Sequence, residues 1–142
     1  MIKNILSYTI AFSVGIFIIT YLLHLPHIIT NKHNIVNEYY RKNYTINIPL
    51  DYLFVLIYFI ISEFFIYIFN IKSNINKTIT VGVVTAILTG LFCLFFTSNK
   101  LDKNNFFSKW FHTVGYLSII YDVILLVFIY SIYMYLNDYV KQ

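Results

Sequence analysis

Two acids stand where acids are costly. Glu63 and Asp122 each interrupt a long apolar run that holds no Lys or Arg. Counted from Tyr52, Glu63 lies about 17 Å along a helix; counted from Val114, Asp122 lies about 12 Å in. Both depths fall inside a hydrocarbon core about 30 Å thick. An ionised carboxylate there costs at least about 2.5–3.5 kcal/mol, so it must face a bundle interior or a cavity. Burial without a cation favours the neutral acid, and two neighbouring carboxyls can share one proton. The spacing therefore predicts that Glu63 and Asp122 point into one interior and meet directly or through a water. Two roles are open to such a pair. One is a relay for protons or cations. The other is a protonated, purely structural hydrogen bond to Ser62, Thr85, Thr89 or a tyrosine hydroxyl.

Other reactive side chains form no constellation. His24, His27, His33 and His112 lie between the apolar runs. Pro26 breaks any helical face shared by His24 and His27, and no carboxylate or thiolate stands at a ligand spacing, so no metal site is read. The single cysteine, Cys93, excludes an intrachain disulfide and sits within an apolar run, where a thiol is inert. The chain has four glycines and none of the motifs of a nucleophile elbow, a zinc protease, a phosphate loop or a dinucleotide fold. It is not read as an enzyme, and no cofactor is implied. Thr113-Val114-Gly115-Tyr116 resembles the start of the potassium-channel filter, a ring of backbone carbonyls. Leu117 replaces the second glycine of that filter, whose backbone conformation leucine adopts poorly.

The elements that must position these residues follow from composition. The 142 residues allow one domain, residues 1–142, and they are 59% hydrophobic, 20% aromatic and only 11% charged. A soluble domain is about 25% charged, so a water-covered globule is excluded; disorder is excluded by the same apolar excess. Four runs have the roughly 20 residues that span a bilayer: about 5–25, 52–71, 79–96 and 114–136. In lipid the backbone must satisfy its own hydrogen bonds, so these runs are helices. The expected fold is an all-α integral membrane bundle of four transmembrane helices, with both termini on one side.

Small residues recur every four positions in two of the runs. Ser7, Ala11 and Gly15 mark one face of the first; Thr78, Gly82, Ala86 and Gly90 mark one face of the third. Such faces let helix backbones approach closely, within the bundle or between copies in a homo-oligomer. The long loops carry Lys32, Arg41, Lys42, Lys100, Lys103 and Lys109 among aromatic residues, with Tyr39, Tyr40, Trp110 and Phe111 expected at the membrane interface. The net charge of +4 is read as anchoring to lipid headgroups, not to nucleic acid.

Sliding the chain by half its length superposes the first run on the third and the second on the fourth. Tyr39 and Tyr40 fall on Trp110 and Phe111, and Asp51 falls on Asp122. Identity between the halves is at chance level, so only the order of residue classes argues for two 2-helix repeats. Their axis would lie along the membrane normal.

The stretch Phe106-Phe107-Ser108-Lys109-Trp110-Phe111-His112-Thr113-Val114-Gly115-Tyr116, continuing in Ile120-Tyr121-Asp122-Val123-Ile124, resembles small uncharacterised multi-pass membrane proteins of large DNA viruses of the algal-virus and giant-virus kind. That resemblance implies a host membrane or the lipid layer of a virion and brings no activity with it. Two functions remain as expectations. The first is a structural or assembly protein that organises lipid or other membrane proteins. The second is a small channel or proton-coupled carrier that uses Glu63 and Asp122.

Overall fold

The computed structural model describes residues 2–140, with side chains described for 4–138. All regular structure among them is helical. Helix α1 (Ile2–Ile16) runs into a π-helical segment, Phe17–Leu22. Two short helices follow, α2 (Leu25–Thr30) and α3 (His33–Asn37), and α3 runs into a second π-helical segment, Glu38–Lys42. Then come α4 (Tyr44–Ile68), α5 (Asn74–Ser98), the short α6 (Phe106–Val114) and α7 (Leu117–Val140). Among the described residues four stretches are long and apolar enough to cross a membrane: Asn4–Leu22, Tyr44–Ile68, Asn74–Ser98 and Leu117–Asp138. The fold is an all-α bundle.

The ends of these helices differ from the apolar runs for local reasons. The first span stops before Leu25 because His24 turns the chain with φ 51°. Pro26 then sits in the first turn of α2, where its missing N–H costs nothing, so it opens a helix instead of only closing one. The second span begins at Tyr44, not Tyr52. Pro49 lies inside α4, and Asp51, one residue before the apolar run, is accommodated within the helix. The fourth span begins at Leu117 because Gly115 breaks the chain at φ 59° and ψ −138°.

That break also settles the filter-like tetrapeptide. Thr113 and Val114 belong to α6, the Gly115 N–H donates to the Phe111 carbonyl, and the Gly115 carbonyl accepts from the N–H and hydroxyl of Ser118. These groups make a helix–helix turn, not a carbonyl ring. Only glycine adopts this backbone conformation without strain, so Gly115→Ala is expected to cost about 1–3 kcal/mol. Thermal unfolding in detergent should show the lower midpoint, and an unshifted midpoint would contradict the left-handed turn.

Helix α7 is the centre of the bundle. It packs against α1, α5 and α2, and α4 packs on α5. Tyr121, Ile129 and Tyr130 of α7 are almost completely buried. The outer faces are apolar, as at Val83, Ile87 and Leu91 of α5 and Ile60 and Phe64 of α4. A helix facing water would carry polar residues there. Both small-residue faces meet α7. Ser7, Ala11 and Gly15 are buried, and a Cβ at Gly15 would run into the Ile129 side chain. A Cβ at Gly82 would lie 3.3 Å from Val127, and one at Gly90 would lie 3.8 Å from Ile119. Thr78 and Ala86 are half-buried on the same helix.

Three contacts across the bundle share one sequence spacing. The Lys109 Nζ to Glu38 Oε1 ion pair, 2.6 Å long, joins residues 71 apart. Tyr39 and Trp110, at the same spacing, pack with ring centroids 5.0 Å apart. Phe59 and Tyr130, again at that spacing, meet edge to face at 5.1 Å. Equivalent residues of two repeats touch each other only on the axis that relates them. These contacts therefore place a pseudo-twofold axis between α4 and α7, and α1 packs on α7 as α5 packs on α4. The symmetry is incomplete. Helix α5 lies closely along α7, whereas α1 meets α4 through the Tyr8 ring on Tyr52 and Phe59.

Candidate functional site

The bundle closes at its long-loop end over a cavity of about 150 Å³ that lies on this axis. Five pairs of residues 71 positions apart line it: Tyr39 and Trp110, Tyr40 and Phe111, Asp51 and Asp122, Phe54 and Leu125, Val55 and Leu126. The rest of the wall is Tyr58, Phe92, Phe96 and Phe107. Asp51 lies about 10 Å beyond the start of α4, and Asp122 about 8 Å beyond the start of α7. The two carboxyls therefore enter the cavity at similar heights from opposite sides of the axis.

Hydroxyl donors hold both acids. Tyr39 donates to Asp51 Oδ1. Thr89 of α5 donates to Asp122 Oδ2 at 2.8 Å, and the Tyr58 hydroxyl lies 3.4 Å from Thr89. Asp51 Oδ2 is enclosed without a hydrogen-bond partner. No Lys, Arg or His is among the lining residues. Burial, and then the neighbouring Asp51 carboxylate, holds the Tyr39 phenol well above its ordinary range, so it stays a donor. Burial raises Tyr40 in the same way. Its hydroxyl lies 2.9 Å from that of Tyr121, which lies 3.0 Å from Thr20. This chain of hydroxyls ties the two π-helical segments to α7 just beside the cavity.

Glu63 is not part of this arrangement, and the expected pairing of Glu63 with Asp122 is not formed. Glu63 is exposed, accepts from the Tyr130 hydroxyl at 2.7 Å and lines a separate cavity with Tyr52 and Tyr133. Tyr130 lies about two helical turns beyond Asp122. The error came from the helix starts: α4 begins eight residues earlier than the apolar run and α7 three residues later. The acid level with Asp122 is Asp51, which lies one residue outside the apolar run that starts at Tyr52. The one signal that could have found it was its superposition on Asp122 in the half-length slide.

The chain matches no known protein family, no curated protein and no solved structure.

The aromatic residues expected at the membrane interface face the bundle interior. Tyr39, Tyr40, Trp110 and Phe111 are all buried, at 4%, 4%, 6% and 7% exposure. They turn inward because they cap the bundle and pack on one another, Tyr39 on both Tyr40 and Trp110. Two of the histidines make local hydrogen bonds. His27 Nε2 lies 2.9 Å from Asn37 Oδ1, and His112 bridges the Ser108 and Asn99 carbonyls at 2.8 and 3.1 Å. The turn at His24 does bring its ring to 5.7 Å from that of His27, across Pro26. Among the described residues no three metal-binding side chains converge. Cys93 is buried and free.

Proposed function

We propose that this is a multi-pass membrane protein with a structural or assembly role, one that organises lipid and other membrane proteins instead of turning over a substrate. The observation that carries this reading is the charge on the end of the bundle that bears the long loops. Lys32, Arg41, Lys42, Lys100 and Lys103 are exposed there. The acids on that end are Asp102 and Glu38, and Glu38 is already taken by Lys109. Five cations that form no ion pair among the described residues, beside an apolar belt, suit an anionic headgroup layer, where each contributes about 1 kcal/mol. The separation of Glu63 from Asp122 removes the geometry on which the carrier reading rested. The resemblance to proteins of large DNA viruses suggests a host membrane or a virion lipid layer as the place of action.

Lipid retention and flux together test the proposal. Each of Arg41→Gln, Lys42→Gln, Lys100→Gln and Lys103→Gln should weaken retention of anionic lipid on the purified protein by about fivefold at low salt. Vesicles carrying the intact protein should leak protons no faster than empty ones. Proton flux that is abolished by Asp122→Asn would overturn the assembly reading.

A further inference from the structure

We propose that the cavity on the pseudo-twofold axis is a binding site for a small organic ammonium ion, seated between Asp51 and Asp122 against aromatic rings. The inference stands on the cavity and does not depend on the assembly role. Three features of the wall select the ligand. The first is charge: two carboxyls face the cavity, no cation lines it, and the nearby Lys109 is engaged with Glu38. The second is an enclosed acceptor, Asp51 Oδ2, with no donor from the protein. The other oxygen of that carboxyl is held by Tyr39, so the free one is fixed in place.

The third feature is the apolar wall. Phe54, Tyr58, Phe107 and Trp110 all border the space. A metal ion strips its water only for a shell of several oxygens, which this wall lacks. A methylated ammonium group spreads its charge over apolar methyl groups and is weakly hydrated. It gains from ring faces as well as from carboxylates. A neutral apolar guest would fill the space but leave the two carboxyls without a counter-charge. A cavity of about 150 Å³ holds a guest of about the size of benzene, which suits a tetramethylammonium ion. The site lies near the end of the bundle, so its guest has two sources: a choline or ethanolamine headgroup of the bilayer, or a free amine.

Trp110 is the only tryptophan in the chain, so its emission reports on the site directly. Full-length protein in a non-ionic detergent is titrated with tetramethylammonium chloride, with sodium chloride, and with tert-butyl alcohol as a neutral molecule of similar shape. A saturable change in Trp110 emission is expected with tetramethylammonium alone. Asp51→Asn and Asp122→Asn should each weaken it at least about tenfold, the usual result of removing one partner of a buried charge pair. Glu63→Gln, outside the cavity, should leave it unchanged. An equal response to tert-butyl alcohol would reduce the site to an apolar hollow. An equal response to sodium chloride would make it an inorganic cation site, and no response at all would leave no site. Each of these three overturns the proposal, and all are read on the unmodified protein, so a poorly folded Asn variant does not block the test. Repeating the titration in the same non-ionic micelles with added phosphatidylcholine, which leaves the net surface charge unchanged, separates the sources. Weaker apparent binding with added phosphatidylcholine supports the proposal with a headgroup as the guest, and equal binding supports it with a free amine.

Discussion

Gly15→Leu is expected to be among the most damaging single substitutions in the bundle. Gly15 is buried against α7, and even a Cβ there would run into the side chain of Ile129, which is itself 0% exposed. Ile129 has nowhere to yield. Overpacking of this kind costs about 1–3 kcal/mol and sometimes more, and the leucine should sit at or above the top of that range. The other glycines grade the effect. Gly15→Ala should already cost about 1–3 kcal/mol. At Gly82 the nearest neighbour, Val127, stands 3.3 Å from the added Cβ and needs to move only slightly, so alanine costs less. At Gly90 the 3.8 Å gap is ordinary contact, and alanine could gain up to about 1 kcal/mol from helix propensity. Leucine at either of these positions should again cost about 1–3 kcal/mol. Thermal unfolding in micelles gives the order. Ile129→Ala should partly rescue Gly15→Leu, because the two side chains compete for one space. Equal midpoints for alanine at Gly15 and Gly90 would mean that α1 does not lie on α7 as described.

The number and type of the spans were legible in the sequence because a bilayer sets a length that few other elements share. Where the spans begin was not. Pro49 and Asp51 look like helix boundaries to any reading that assigns proline and charge to loops, yet both lie inside α4. The proline sits in the second turn of the helix, where it removes one backbone hydrogen bond, and the Asp51 carboxyl is held by the Tyr39 hydroxyl. That donor comes from a segment that sequence reasoning placed at the lipid surface. The misplaced start carried through to the site. It set Glu63 level with Asp122 and removed Asp51 from consideration. The half-length repeat, too weak to accept on identity, held the missing information. Its physical mark is a set of contacts between equivalent residues, and those can be seen only once the halves are packed together.

Trp110 tests whether that axis orders the packing. Its ring is 6% exposed and lies on Tyr39, its counterpart across the axis, with Phe106 alongside. Truncating a buried aromatic residue typically costs about 3–5 kcal/mol, so Trp110→Ala should destabilise the protein by about that amount. Trp110→Tyr should cost clearly less than Trp110→Ala, because most of the ring volume is kept. The substitution puts into the second half the residue that the first half already uses at the equivalent position, and a smaller aromatic ring keeps the contact across the axis. Tyr39 should not behave in the mirror-image way. Tyr39→Phe keeps the ring but takes the donor from Asp51 Oδ1, whose other oxygen has no partner, so it should cost about 1–3 kcal/mol although no packing is lost. The two positions are thus equivalent in shape and unequal in chemistry. Thermal unfolding followed by circular dichroism measures all four proteins, wild type included, without relying on tryptophan. If Trp110→Tyr proved as harmful as Trp110→Ala, the ring contact would be a local accident, and the cap of the bundle would not be built from two matching halves.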